Sequence, residues 1–98
     1  MVLTHDGQRA TLVFTGELEA PTVLNLEEQL ADPRLRRAHV WEMDMSGLAR
    51  LDMPCAYALL RAATTAPEPI VLLVRGARRT VRRTLHAAGV DAVAIIED

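Results

Sequence analysis

The sequence predicts an α/β fold: a mixed, mostly parallel sheet with helices packed on it, in the order β-β-α-β-α-β-α-β. Three observations lead there. Apolar residues alternate at period two near the N-terminus and return at helical spacing further on. In the second half strand-like and helix-like segments alternate, which calls for parallel strands joined by right-handed crossovers. Breakers such as Asp6-Gly7, Asp32-Pro33 and "APEP" separate the segments.

Each element has its own signal. "MVLTHDGQRATLVFTGEL" reads as two strands around a turn, because Asp-Gly is a strong hairpin signal. Ala10, Leu12 and Phe14 alternate with Thr11, Val13 and Thr15, as in a strand with two unlike faces. Pro21 can open a helix, and Val23, Leu26 and Leu30 then give it an apolar stripe that Leu24 should widen. Asp32-Pro33 ends it, since the residue before proline avoids helical geometry. "HVWEMDM" is the third strand, and "ARLD" should link it to a second helix. Asp52 or Met53 is the expected N-cap there, with Pro54 in the first turn and Ala56, Leu59, Leu60 and Ala63 buried. "IVLLV" (70–74) is apolar throughout, as expected of a strand covered on both faces. "RRTVRRTLHAAG" is a third helix with Val81, Leu85 and Ala88 inward and Gly89 as its C-terminal cap. "AVAII" (92–96) closes the sheet.

Composition narrows the function classes. Ninety-eight residues, half of them hydrophobic, suit a single domain over 1–98. Only three residues are aromatic, so Leu, Val, Ile, Met and Ala must fill the core. No stretch approaches the roughly 20 apolar residues that span a bilayer. The N-terminus has no basic region followed by an apolar run. The one cysteine cannot form an internal disulfide. These features together lead us to expect a cytoplasmic protein. A net charge of −2 gives no general reason to bind nucleic acid.

The chemistry of sites is sparse. His5, His39 and His86 fall in three different elements, and no Cys or His pair has ligand spacing, so neither a metal nor another cofactor is expected. All eleven basic residues are arginine; without lysine no Walker motif is possible. Cys55 could sit at a helix N-terminus, where the dipole favours thiolate. A small residue packed under the helix is the simpler role. Asp44 and Asp52 could form an acid pair, but no oxyanion site or base accompanies them. Asp44 is expected to hydrogen-bond its loop and Asp52 to cap the helix. No catalytic residue is therefore assigned, and the chain is not expected to be an enzyme. Arg75, Arg78, Arg79, Arg82 and Arg83 make a basic patch on and before the third helix, expected to cover one outer face. It is a solvated face or a seat for an acidic protein or anionic lipid.

Three blocks resemble the STAS domain, the fold of sulfate-transporter tails and bacterial anti-sigma factor antagonists. "FTGELEA" (14–20) is similar to the family's strand-to-helix turn, with Glu19 in place of the usual aspartate. "VWEMDMSGLARLD" (40–52) resembles its hydrophobic–Asp-x-Ser-Gly segment running to a second Asp. "VRRTLHAAGVDAVAIIED" (81–98) resembles its last helix and strand. In the antagonists that second Asp begins Asp-Ser-Ser-Gly, and the second serine accepts phosphate from a partner kinase. Here Asp52, Met53, Pro54 and Cys55 stand in that place, so Pro54 occupies the phosphoacceptor position without a hydroxyl. "LDMPCAYALLRAA" (51–63) is also similar to the STAS subunit of Mla-type lipid ABC transporters, with Ala56-Tyr57 matching an Ala-aromatic pair. The resemblance implies a non-enzymatic protein-binding module. Its partner would be an anti-sigma factor or kinase-like protein, or an ABC transporter ATPase or permease; a homodimer is a further partner left open. The implied contact surface is Asp52, Met53, Pro54, Cys55 and Tyr57, with Ser46 and Gly47 in the neighbouring loop. "LDMPCAYALL" also echoes response-regulator receivers, which need an acidic pair and a late lysine that this chain lacks.

Overall fold

Asp6 pairs with Arg9 across Gly7 and Gln8, and Gly7 has φ 61°, the glycine-first pattern of a type II′ loop. That turn joins β1 (Val2–Asp6) to β2 (Arg9–Leu18) as an antiparallel hairpin in a computed structural model that describes residues 1–97. After β2 a 3-10 turn (Ala20–Thr22) carries Pro21 and runs into α1 (Val23–Leu30). There follow α2 (Pro33–Arg37), β3 (Val40–Leu51), α3 (Met53–Thr64), β4 (Val71–Arg75) and α4 (Arg79–Ala88). A second 3-10 turn (Val90–Ala92) leads into β5 (Ala94–Ile96). The sheet order is β1-β2-β3-β4-β5, with β2 to β5 parallel. The α/β class and the order of strands and main helices are as the sequence predicts.

Four local expectations are corrected. The segment read as a linker, "ARLD", is strand up to Leu51, where β3 continues by pairing with β2 through two register shifts. Pro33 not only ends α1 but opens the one-turn α2, whose N-cap Asp32 accepts from the Arg34 amide at 2.9 Å. Leu24 does not widen the buried stripe and is 72% exposed, because at 3.6 residues per turn it lies about 160° round the helix from Leu26. Finally, β4 is covered on one face only: Leu72 and Val74 are buried, while Val71 is 48% exposed.

This last point follows from the sheet order. Each parallel strand is laid beside the previous one without a reversal, so right-handed crossovers carry every connecting helix to the same face. That face holds the core. Ala10, Leu12 and Phe14 of β2, Trp41, Met43 and Met45 of β3, and Leu72 and Val74 of β4 lie under Cys55, Ala58 and Leu59 of α3 and Val81 and Leu85 of α4. Trp41 Nε1 donates to the Leu35 carbonyl at 3.1 Å, so α2 is tied to the floor of the core. The other face carries a ladder of ion pairs. Glu42 pairs with Arg9 at 2.6 Å and with Arg75 at 2.8 Å, and Arg75 also pairs with Glu97 at 3.3 Å.

Candidate functional site

The carboxyl ends of β2, β3 and β4 share one rim of the sheet because these strands are parallel. Residues 44 to 57, which span the end of β3 and the start of α3, build the middle of that rim. Asp44 Oδ1 accepts from both the amide (3.0 Å) and the hydroxyl (2.7 Å) of Ser46. These two hydrogen bonds hold the Asp44 carboxyl below the usual carboxylate range. The expected local hydrogen bonding of Asp44 is thus present, within a strand rather than in a loop. Gly47 lies against β2: a Cβ there would stand 3.2 Å from the Phe14 carbonyl oxygen and 3.1 Å from Thr15 Cγ2. Gly76, at φ 71°, turns directly over Ser46, whose Cβ would be 2.8 Å from any side chain at that position.

Asp52 occupies the N-cap position of α3, yet its side chain does not cap the helix. Its backbone carbonyl accepts from the amides of Cys55 (3.0 Å) and Ala56 (3.1 Å). Its carboxylate reaches across to β2's exit, accepting from the Ala20 amide at 2.8 Å and from Arg50 Nε at 2.9 Å. The Ala20 bond first, and Arg50 second, lower its pKa. The Asp52 amide donates to the Leu18 carbonyl at 2.8 Å, so one residue fastens the start of α3 to the end of β2 from both directions. Sequence reasoning missed this link because its partners lie more than thirty positions away.

Cys55 is fully buried and points back under the helix, its Sγ 3.4 Å from the Glu19 carbonyl. Burial pushes the thiol pKa up, and the nearby Asp52 charge adds to the rise. Both effects oppose a reactive thiolate. Cys55 therefore falls outside the exposed surface that the sequence reading included it in. Pro54 is exposed in the first turn of α3, Met53 is half-buried, and Tyr57 is 42% exposed one turn on. Ser46 and Gly47 are exposed beside them.

The basic patch divides. Arg78, Arg79 and Arg83 are exposed on α4 and its N-cap, with Arg82 half-buried beside them. Arg75 is not part of that face. It ends β4 on the opposite side of the sheet, in the ion-pair ladder with Glu42 and Glu97. The sequence grouped it with the others by proximity, but strand alternation turns it away.

A concavity lies elsewhere. A groove of about 390 Å³ runs between α1, α2 and α3, lined by Leu30, Leu35, Trp41, Ala58, Arg36 and Arg61, among others. Among the described residues no group of three or more His, Cys, Asp or Glu side chains could hold a metal ion. No helix among them is long and apolar enough to cross a membrane. The rim at α3 presents one proline, one methionine and one tyrosine, and the Ser46 hydroxyl beside them donates to Asp44.

Comparison with known proteins agrees with this architecture. A solved anti-sigma factor antagonist from Mycobacterium paratuberculosis superposes with a TM-score of 0.78 at 15% identity, covering 97% of this chain and 81% of that one. The anti-sigma factor antagonist SpoIIAA, in its unphosphorylated form, gives 0.69 at 14% identity, covering 99% and 87%. No curated protein matches the sequence. The family model described as "Mlab, STAS domain" matches residues 1–97. The chain belongs to the STAS domain family, and its fold is that of the anti-sigma factor antagonists.

Proposed function

We propose that this chain is a non-enzymatic protein-binding module whose contact surface is the start of α3 with the loop beside it. The carrying observation is the exposure of Pro54, with half-buried Met53 and exposed Tyr57 around it. A flexible thioether, a rigid ring and an aromatic form an apolar seat whose backbone Asp52 fixes. In an antagonist-like role this surface would bind an anti-sigma factor or kinase-like protein without a phosphate switch. Residues 53 to 55 offer no hydroxyl, and the neighbouring Ser46 donates to Asp44, whose charge would repel a phosphate.

A second reading has its own support. The family match over residues 1–97 carries the Mlab description, whereas the likeness to the antagonist structures at 14–15% identity is one of fold. This favours the role of regulatory or assembly subunit of an Mla-like lipid ABC transporter, docked on its ATPase or permease. Capture from native extract with the wild-type chain as bait separates the two. An ABC ATPase held through Met53 and Tyr57 supports the second reading, and a kinase-like protein the first. Capture that survives Met53→Asp with Tyr57→Asp sinks the contact surface itself.

A further inference from the structure

Between Glu68 and Asp91 the chain has no acidic residue, yet it has Arg75, Arg78, Arg79, Arg82 and Arg83. Once Arg75 is removed to the far face, the remainder concentrates on α4. Among the described residues, no carboxylate pairs with Arg78, Arg79 or Arg83, whereas Arg9, Arg34, Arg50 and Arg61 each pair with an acid. Two of these charges stand at the N-terminal end of α4, where the helix dipole disfavours cations and no acidic side chain offsets them. Folding alone gives no reason for that arrangement.

Its position does. Gly76 lies over Ser46, so the turn that leads into α4 meets the rim, and α4 packs beside α3. Across the strand order from β2 to β4 the rim is graded in charge. The β2 side carries Glu17, Glu19 and Asp52 against the single guanidinium of Arg50, which these three acids all raise in pKa. The centre is the apolar Met53, Pro54 and Tyr57. The β4 side is the arginine face of α4.

We infer that the protein docking at α3 carries acidic side chains that face Arg78, Arg79 and Arg83. The inference rests on the contact surface proposed above and names the chemistry of its partner. A protein fits this rim better than an anionic bilayer. A flat anionic surface would meet Glu17, Glu19 and Asp52 along with the arginines. The apolar side of α4, with Val81, Leu85 and Ala88, is already in the core and cannot insert. A partner with acids opposite α4 and none opposite β2 satisfies both ends and fixes its own orientation.

The test uses three forms of the full chain: wild type, Met53→Asp with Tyr57→Asp, and Arg78→Glu with Arg79→Glu and Arg83→Glu. Circular dichroism checks folding, and the corresponding Arg→Gln set replaces the reversal should it unfold. The protein captured by wild type is identified and purified, and its association is followed calorimetrically and by stopped flow over a salt series. Reversal is expected to weaken binding by about tenfold or more, mainly through slower association with a flatter salt dependence. Changing an acid of the captured protein to Arg should restore binding of the reversed chain. Unchanged affinity after reversal overturns the inference, while loss on Met53→Asp with Tyr57→Asp keeps the contact surface. Binding insensitive to that pair overturns the contact surface instead, and capture of nothing at low salt overturns both. Sedimentation of wild type, but not the reversed chain, with phosphatidylglycerol vesicles would assign the arginines to lipid and also overturn the inference.

Discussion

Asp52 carries more of the rim's geometry than any neighbouring side chain. A conventional N-cap would spend its carboxylate on the first turn of its own helix. Here the carbonyl serves the helix and the carboxylate is free to bind the Ala20 amide. Asp52→Ala should therefore leave α3 largely intact but release the exit of β2. Hydrogen exchange is the direct readout: the Ala20 amide should exchange about tenfold faster or more, the equivalent of one charge-assisted hydrogen bond. Unchanged protection there would mean the link carries no energy. Cys55 tests the opposite possibility, a hidden enzyme. Its thiol is buried and its pKa raised, so thiolate is scarce and access blocked. Iodoacetamide should label it slowly in the native protein and at the rate of a free thiol once unfolded. Fast stoichiometric labelling of the folded chain would revive the enzyme class.

At the scale of elements, what the sequence revealed depended on the range of the forces involved. The hairpin, α3, α4 and the Gly89 cap were legible because their causes are local: an Asp-Gly turn, a proline in the first turn, an i, i+4, i+7 stripe and a glycine at φ 87°. The second half of β3 was not. "SGLARL" lacks strand character and becomes strand only because β2 pairs with it at bulged register. Leu24 and Arg75 failed for a related reason, since nearness in sequence said nothing about which face each would take. The α3 rim was legible as a segment of sequence, but its shape was not, because Ala20 and Gly76 come from other parts of the chain. Two variants probe how these pieces meet. Gly76→Ala forces a side chain into the left-handed region and against Ser46, and should cost about 1–3 kcal/mol in denaturant melts. A neutral result would mean that turn can relax. Arg79→Glu places an acid in the first turn of α4 and should stabilise the free protein by about 0.3–1 kcal/mol at low salt. It should at the same time weaken partner binding, the mark of a residue kept for contact. Loss of stability would show that Arg79 has a structural role instead.

For the whole molecule, the exposed electrostatics act together through pH. Asp32 is lowered from the ordinary 3.8 to about 2, first by the Arg34 side chain and then by its amide. Asp44, Asp52 and Asp91 are lowered too, by Ser46, by Ala20 with Arg50, and by His86 respectively. These sites tie α2 to its cap, shape the rim and close the turn after α4, so they sample most of the fold. A carboxyl with a depressed folded pKa binds its proton more weakly when folded than when unfolded. The stability it confers is therefore complete above the unfolded value of about 3.8. It is lost as pH falls through the folded value, which for Asp32 is about 2. All four groups have the same sign, so their effects add, although exposure and salt screening keep each one small. Thermal melts should show a plateau from neutral pH down to about 4, then a falling midpoint that continues to about 2. Asp32→Asn with Asp44→Asn should start lower on the plateau and fall less steeply across that window, because two of the titrating groups are gone. Added salt should flatten the wild-type limb in the same direction. A wild-type midpoint that holds or rises on acidification would overturn this account, as would a double variant with an unchanged slope.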